Sequence, residues 1–331
     1  MAQALVAPDK FRGTLTARQA ATAIAAGAAR AGWAAVELPL ADGGEGTLDV
    51  LGGGNRRTVV TGPSGAPVEA VWRLEEDGTA LVEAALACGL YLAGGPEAND
   101  PLRATSRGVG ELVAAAVAEG AVRIVVAVGG VAATDGGLGA VEELWASLPL
   151  PVPLDVACDV GARFLDAADV FAPQKGATAD QVPILRERLE SLAERYRDEL
   201  GVDVLELPRS GAAGGLAGGL AAIGGQLLPG FELVADRLGL DERLAEADLV
   251  VTGEGRVDAT SFTGKVVGGV LGRARAAGVE PLVLAGDRAP RTRADAISLV
   301  ERYGPERAFS EPAECLTELA ASVLATRRKG P

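Results

Sequence analysis

The chain contains no histidine. That absence removes Ser-His-Asp and Cys-His nucleophile systems, and histidine-ligated zinc sites, in one step. Proton transfer then falls to Asp, Glu, Lys, Tyr or Cys. Cysteine is scarce too: Cys88, Cys158 and Cys315 are far apart, odd in number and form no C-x-x-C pair. Such a set excludes a disulfide framework and fits a reduced, cytoplasmic interior. Aromatics are only 4% of the residues against 48% hydrophobic in all, so the cores must be mostly Ala, Val and Leu. Positive charge is in deficit, and the net charge of −14 argues against nucleic acid or an anionic membrane surface as main partner. No secretory signal is visible, because the apolar run at residues 4–8 is short and lacks a basic lead-in. Residues 211–231 are uncharged and about as long as a membrane span, yet eight of them are glycine and Gln226 and Pro229 interrupt the run. They read as a glycine-rich loop and a tightly packed helix. Two phosphate-loop signatures are also missing. G-x-x-x-x-G-K-[ST] fails because Lys265 precedes Val266, and G-x-G-x-x-G does not occur, which argues against a dinucleotide redox enzyme.

What is present centres on Leu249-Val250-Val251-Thr252-Gly253-Glu254-Gly255-Arg256-Val257-Asp258. A short apolar strand over 249–251 runs into two glycines that bracket a carboxylate, with Gly264-Lys265 closing the segment. Glycines let a backbone turn sharply and approach a ligand closely. Ligands bind at the carboxyl ends of strands in open α/β sheets. Two acids and two bases beside such a turn suit an anionic ligand with a metal, typically a nucleotide. An ordinary strand-to-helix loop with solvated charges fits the same residues.

The 331 residues suffice for two domains of ordinary size. A buried strand over 4–7 leads to Pro8-Asp9-Lys10-Phe11-Arg12-Gly13-Thr14. Thr16 and Gln19 then form a capping-box pattern for a helix to about Gly32. A strand over 35–40 ends in Ala41-Asp42-Gly43-Gly44-Glu45-Gly46-Thr47. This alternation predicts a parallel sheet with helices on its faces. From Gly52 the rhythm changes to shorter strands over 57–61, 68–74 and 79–84, a more antiparallel region. A helix over 108–119, a strand over 123–128 and a strand over 154–158 follow, and Pro149, Pro151 and Pro153 forbid a central strand between the last two. Thr178 and Gln181 repeat the capping box, and Val182, Leu185, Leu189, Leu192, Tyr196 and Leu200 form one helix face for core packing. The opening rhythm returns after Gly239: a short helix capped by Asp241, a helix over 264–277, a strand over 281–285, a final strand near Ala308-Phe309-Ser310, and a last helix. The expected class is α/β in two domains. A flavodoxin-like parallel-sheet domain (1–56 and 240–331) is interrupted by an inserted α/β domain (57–239).

Seven strand-end motifs together resemble the glycerate kinases of the bacterial glycerate 2-kinase type. They are Ala7-Pro8-Asp9-Lys10-Phe11-Arg12-Gly13-Thr14-Leu15, Leu40-Ala41-Asp42-Gly43-Gly44-Glu45-Gly46-Thr47, Thr105-Ser106 with Gly108-Val109-Gly110-Glu111-Leu112, Ala157-Cys158-Asp159-Val160, Pro173-Gln174-Lys175-Gly176-Ala177, Gly211-Ala212-Ala213-Gly214-Gly215-Leu216, and Thr252-Gly253-Glu254-Gly255-Arg256-Val257-Asp258. Each is weak alone; seven in family order are specific. The resemblance implies phosphorylation of D-glycerate to 2-phosphoglycerate with ATP and Mg2+, in a cleft between the two domains. It also makes a homodimer plausible. The chain departs from the family pattern at Val131, Ala133 and Thr134, at Gly161-Ala162, at Thr263, and in a short connection between Ala140 and Pro153. Lost hydrogen-bonding groups there are expected to change which acid is bound or to weaken turnover. A kinase for another small hydroxy acid and a non-catalytic relative are the rival readings.

Phosphoryl transfer needs a metal on the phosphates, positive charge for the transferring group and a base for the attacking hydroxyl. The expected catalytic residues are Asp42 as first choice for the base, Lys175 and Asp159. Lys10, Arg12, Gly43, Gly44, Thr105 and Ser106 are expected to bind the acid, Arg12 having the fork that holds a carboxylate bidentately. Gly214, Gly215, Glu254, Arg256 and Lys265 are expected at the nucleotide, and Glu254 and Asp258 at the metal, whose oxygen ligands are commonly one or two carboxylates. Asp9 is expected to orient its loop, and Asp135 to serve either structure or site.

Overall fold

The computed structural model describes residues 2–158, 160–262, 265–290 and 296–327. The chain divides into two compact units, one comprising Met1–Asp42, Asp49–Leu51 and Phe231–Pro331, the other Gly43–Leu48 and Gly52–Gly230. Each has its own sheet, and the α/β class expected from the sequence is present in both.

The first unit is built on β1 (Gln3–Val6), β2 (Ala34–Glu37), β9 (Leu249–Val257), β10 (Glu280–Arg288) and β11 (Ala296–Ser298). Their order is β11-β10-β9-β1-β2, and every pair is parallel. β1 comes from the start of the chain and its neighbour β9, the central strand, from beyond residue 248, in the register Ala4↔Leu249. The sheet is thus drawn from both ends of the sequence. Helix Ala17–Arg30 opens on the expected capping box, with Thr16 and Gln19 satisfying each other's backbone N–H groups. It packs on helix Pro312–Arg327 at Gly27, where an added Cβ would lie 2.4 Å from the Thr317 carbonyl oxygen. The glycine lets the two backbones touch, and Thr317 Oγ1 donates to the Ala23 carbonyl at 2.9 Å beside it.

Two expectations for this unit fail. β9 does not turn at Gly253 but continues to Val257, paired with β10 over its whole length. The glycines serve close packing instead: a Cβ on Gly253 would sit 1.8 Å from the Leu284 carbonyl oxygen, and one on Gly255 2.7 Å from the Arg12 nitrogen. The expected strand near Ala308-Phe309-Ser310 is helix Pro305–Ser310, begun by a proline in its first turn. The remaining strand of this sheet is the three-residue β11.

The second unit carries β3 (Arg56–Thr61), β4 (Pro67–Leu74), β5 (Thr79–Glu83), β6 (Arg123–Ala127), β7 (Leu154–Ala157) and β8 (Gln226–Leu228), adjacent in that order. β3, β4 and β5 are antiparallel neighbours, and β5 to β8 are parallel. Val126 and Val156 are fully buried, as strands covered on both faces require. Leu185, Leu189, Leu192 and Tyr196 of helix Gln181–Leu200 face the core, as the 3.6-residue spacing predicts. Truncating one such leucine to alanine costs about 2–5 kcal/mol. The Thr178–Gln181 box is half formed: Thr178 N–H donates to Gln181 Oε1, and Asp180 makes no side-chain cap.

Candidate active site

In the first unit the loop after β1 is stitched on both sides. Asp9 N–H donates to the Gly253 carbonyl at 2.8 Å, Gly255 N–H to the Lys10 carbonyl at 3.3 Å, and Leu40 N–H to the Pro8 carbonyl at 2.9 Å. These bonds bring Asp9 and Lys10, Glu254 and Asp42 to the same end of the sheet. Lys10 Nζ lies 4.0 Å from Asp42 Oδ1, both half-buried. Asp9 is buried, and its carboxylate accepts the Lys10 N–H at 2.7 Å. Burial pushes its pKa up to about 7; Asp42 and Glu254 add repulsion, while the Lys10 charge and N–H oppose the rise. The Glu254 carboxyl is also raised, first by burial, with Ser261 and Lys265 opposing and Asp258 and Asp42 adding to the rise.

Glu254 Oε1 is buried with no hydrogen-bond partner among the described residues. A carboxylate oxygen left so beside two other acids is costly unless a cation reaches it. The donor set therefore fits a divalent cation that takes one or two carboxylates and completes its shell with water and phosphate oxygens, as Mg2+ does. It does not form a self-sufficient cage: no group of three Asp, Glu, Cys or His side chains closes on one point among the described residues. Asp258 is partly committed, since its Oδ1 accepts both Thr260 N–H and Thr260 Oγ1–H at 2.7 Å, bonds that hold its pKa low. Lys265 Nζ donates to Thr260 Oγ1 at 3.3 Å and directly precedes the twelve-residue helix Val266–Ala277. Arg12 and Arg256 are exposed.

The second unit gathers a different set. Lys175 is buried, and its ammonium donates to the Ala133 carbonyl at 2.6 Å. Burial pulls its pKa down to about 8, with the Cys88 and Asp135 charges opposing. Gly214 and Gly215 press on the same loop in left-handed conformations. A Cβ on Gly214 would lie 2.0 Å from the Ala133 carbonyl oxygen and 2.8 Å from Lys175 Nζ. Asp135 ties the loop to helix Arg107–Ala118, accepting Ser106 N–H and Oγ–H at 2.8 Å each. Ser106 is fully buried and its Oγ also accepts Ala140 N–H, while Thr105 Oγ1 accepts Arg107 N–H at 3.2 Å.

Gly43 and Gly44 lie against the glycines after β6. Gly129 N–H donates to the Gly43 carbonyl at 3.2 Å, and a Cβ on Gly129 would meet the Gly44 Cα at 2.5 Å. Sequence reasoning passed over the residue that holds this turn. Glu83, at the end of β5 and buried, accepts Gly46 N–H at 3.0 Å and Leu48 N–H at 2.9 Å. Its only signal is a carboxylate closing an otherwise apolar strand.

The structure thus brings Lys10, Asp42, Glu254, Asp258 and Lys265 together in one unit, with Asp9 added, and Lys175, Gly214, Ser106 and Asp135 in the other. Asp159 lies outside the described residues, as do Thr263 and Gly264. Val131 and Ala133, where the family pattern has polar groups, are buried, and Ala133 packs in a small apolar cluster with Ala104 and Ala132.

A model of the glycerate kinase family matches residues 4–149 and 148–328. An uncharacterized protein of Mycobacterium tuberculosis is 42% identical over 344 residues, covering 97% of this chain and 90% of that one. The glycerate 2-kinase of Escherichia coli K12 is 36% identical over 346 residues (92% and 89% covered). The glycerate kinase of Bacillus subtilis is 35% identical over 370 residues (97% of each). A Salmonella typhimurium LT2 crystal structure described as a glycerate kinase 2 superposes with a TM-score of 0.79 at 33% identity, covering 99% of this chain and 98% of that one. With the match running from the first strand to the last helix, this chain belongs to the glycerate kinase family and is one of its enzymes.

Proposed function

We propose that the protein transfers the γ-phosphoryl group of ATP to the 2-hydroxyl of D-glycerate, giving 2-phosphoglycerate and ADP. The observation that carries this reading within a kinase family is the partnerless buried oxygen of Glu254 beside Asp42 and Asp9. Lys10 and Arg12 hold the glycerate carboxylate, Arg12 through its bidentate fork. Asp42 accepts the proton of the attacking hydroxyl, with Lys10 placing positive charge next to it. Gly43 and Gly44, which follow Asp42 and carry no side chains, let the acid approach the backbone there. Glu254 and Asp258 hold Mg2+, which neutralises the phosphates when bound. Arg256, Lys265 and the helix that starts after Lys265 attract the phosphate chain. Gly214 and Gly215 admit the nucleotide, Lys175 supplies a buried positive charge, and Asp159 shares the duties of base and metal ligand with Asp42, Glu254 and Asp258. That the groups in the two units serve one reaction is part of the proposal, as are a cytoplasmic location and a homodimer.

The test is ADP release from ATP and Mg2+ with D-glycerate, with the product identified by phosphorus NMR. The expected product is 2-phosphoglycerate, and Asp42→Asn is expected to slow turnover at least a hundredfold with an unchanged circular dichroism spectrum. No phosphoryl transfer to D-glycerate, or transfer to its 3-hydroxyl, refutes the assignment. A second reading, a kinase for another small hydroxy acid, is favoured by the apolar, packed Val131 and Ala133. Turnover confined to another acid in the same assay would select it, and nucleotide binding without any turnover would mark a catalytically impaired relative.

A further inference from the structure

Within the second unit a cavity of about 670 Å3 lies between helix Gln181–Leu200, the turn at residues 101–105 and helix Leu138–Leu144. Its wall is apolar along Leu138, Leu185, Leu189 and Leu192. Three arginines line it, and they are not equivalent. Arg195 is neutralised by Glu142 at 3.7 Å and Glu199 at 3.1 Å. Arg103 and Arg188 form no ion pair among the described residues; Arg188 donates to the Leu102 carbonyl at 2.7 Å, and both are exposed. Thr134, 3% exposed, also lines the cavity, and its hydroxyl has no hydrogen-bond partner among the described residues.

The acids around the cavity do not answer the two arginines. Asp135 is spent on backbone and hydroxyl donors, accepting Ser106 N–H and Oγ–H, Gly137 N–H and Gly139 N–H. Glu142 belongs to Arg195, and Glu187 is exposed. What is left over is two guanidiniums without counter-ions, an apolar wall, and one buried hydroxyl without a partner. Guanidinium forks match carboxylate and phosphate. A buried hydroxyl without a partner carries a desolvation penalty that a polar ligand atom would relieve. The volume is in the range of pockets that enclose extended organic ligands, and far exceeds what a three-carbon acid fills.

We propose that this cavity is a second ligand site, for an organic anion larger than glycerate. Its carboxylate or phosphate head is held by Arg103 and Arg188, its unbranched apolar middle lies along the leucines, and a polar tail meets the Thr134 hydroxyl. The site touches the kinase machinery through the chain: Thr134 follows Ala133, whose carbonyl receives the buried Lys175 ammonium.

Binding is measured by titration calorimetry on the intact protein with 6-hydroxyhexanoate and 6-hydroxyhexyl phosphate. Saturable binding of at least one is expected, weakened tenfold or more in Arg103→Gln/Arg188→Gln; which of the two binds tells carboxylate from phosphate. Both substitutions are at exposed side chains, so the fold is kept. Hexane-1,6-diol, lacking the anionic head, is expected not to bind. Hexanoate, lacking the tail hydroxyl, is expected to bind more weakly than 6-hydroxyhexanoate in the wild type and equally in Thr134→Val. Absence of saturable binding, an unchanged affinity in the double variant, or no advantage from the tail hydroxyl overturns the proposal. So does competitive displacement of the probe by D-glycerate, which would make the cavity the acceptor site. The readout is binding, so a protein that fails to phosphorylate glycerate still tests it.

Discussion

Replacing Asp9 by asparagine should flatten the pH dependence of the first unit's stability. Asp9 is 7% exposed, and its carboxyl is raised from 3.8 to about 7, by burial first and by Asp42 and Glu254 next. A folded-state value above the unfolded one means that the native state binds more protons between pH 4 and 7. Stability is then fully present below pH 4 and is lost as pH rises toward 7. Three units of difference correspond to about 4 kcal/mol. Asparagine keeps an oxygen for the Lys10 N–H and carries no charge at any pH. The stability of Asp9→Asn relative to wild type should therefore rise by up to about 4 kcal/mol from pH 4 to pH 8. Urea unfolding at steps across that range measures the gap. Trp33, buried with its indole N–H on the Leu324 carbonyl at 3.2 Å, gives the first unit's share of the fluorescence change, beside Trp72 and Trp145 of the second unit. Groups remote from Asp9 cancel in the difference, while Asp42 and Glu254, which repel it, titrate together with it. Parallel curves for the two proteins from pH 4 to 8, or a gap that closes with rising pH, refute the reasoning.

Lys175 should act in the opposite direction. Its folded value of about 8 lies below the unfolded 10.5, so wild-type stability is expected to rise between those pH values by up to about 3 kcal/mol relative to Lys175→Met. Urea midpoints between pH 7.5 and 10.5 check this, and parallel profiles would remove the buried charge from the account. Thr252 in β9 is fully buried with a hydroxyl that has no partner among the described residues. Thr252→Val replaces it isosterically and is expected to leave the melting temperature unchanged or raise it, by about 1 kcal/mol in stability. A loss of more than about 1 kcal/mol would show that the hydroxyl is held by a hydrogen bond after all.

The elements legible in the sequence are those whose pattern is strong and local. The apolar run Ala4-Leu5-Val6 of β1, the apolar start of β9, the Thr16–Gln19 box and the leucine stripe of helix Gln181–Leu200 follow from burial and capping alone. The parallel first sheet was legible because the strand-helix rhythm breaks off at Gly52 and resumes after Gly239. The extension of β9 was not, because Gly-Glu-Gly reads as a turn until Leu284 and Arg12 are seen to crowd both glycines. Helix Pro305–Ser310 has an apolar tip that reads as a strand, and its first-turn proline is the local signal for a helix instead. Among the site residues, Asp9 and Glu83 look like any loop or strand-end acid. Nothing in residue type foretells that one will be buried among carboxylates and the other will hold a glycine turn by two N–H groups.

The seam of the second unit bears on how the molecule comes into being. A methyl group on Gly43 would lie 3.1 Å from the Gly230 Cα, so the entry and exit of that unit are neighbours. Joining Ala4 to Leu249 across disordered chain would cost about 5 kcal/mol in closure entropy by the logarithmic loop law. Once the middle of the chain has folded, its adjoining ends shorten that tether to the stretches 4–43 and 230–249. On the ribosome the amino-terminal strand must wait for β9 and β10 to emerge, while the insert can already fold. The insert then works as a molecular clasp, and a variant whose insert stays unfolded is expected to lose about 1 kcal/mol from a sheet to which it contributes no strand.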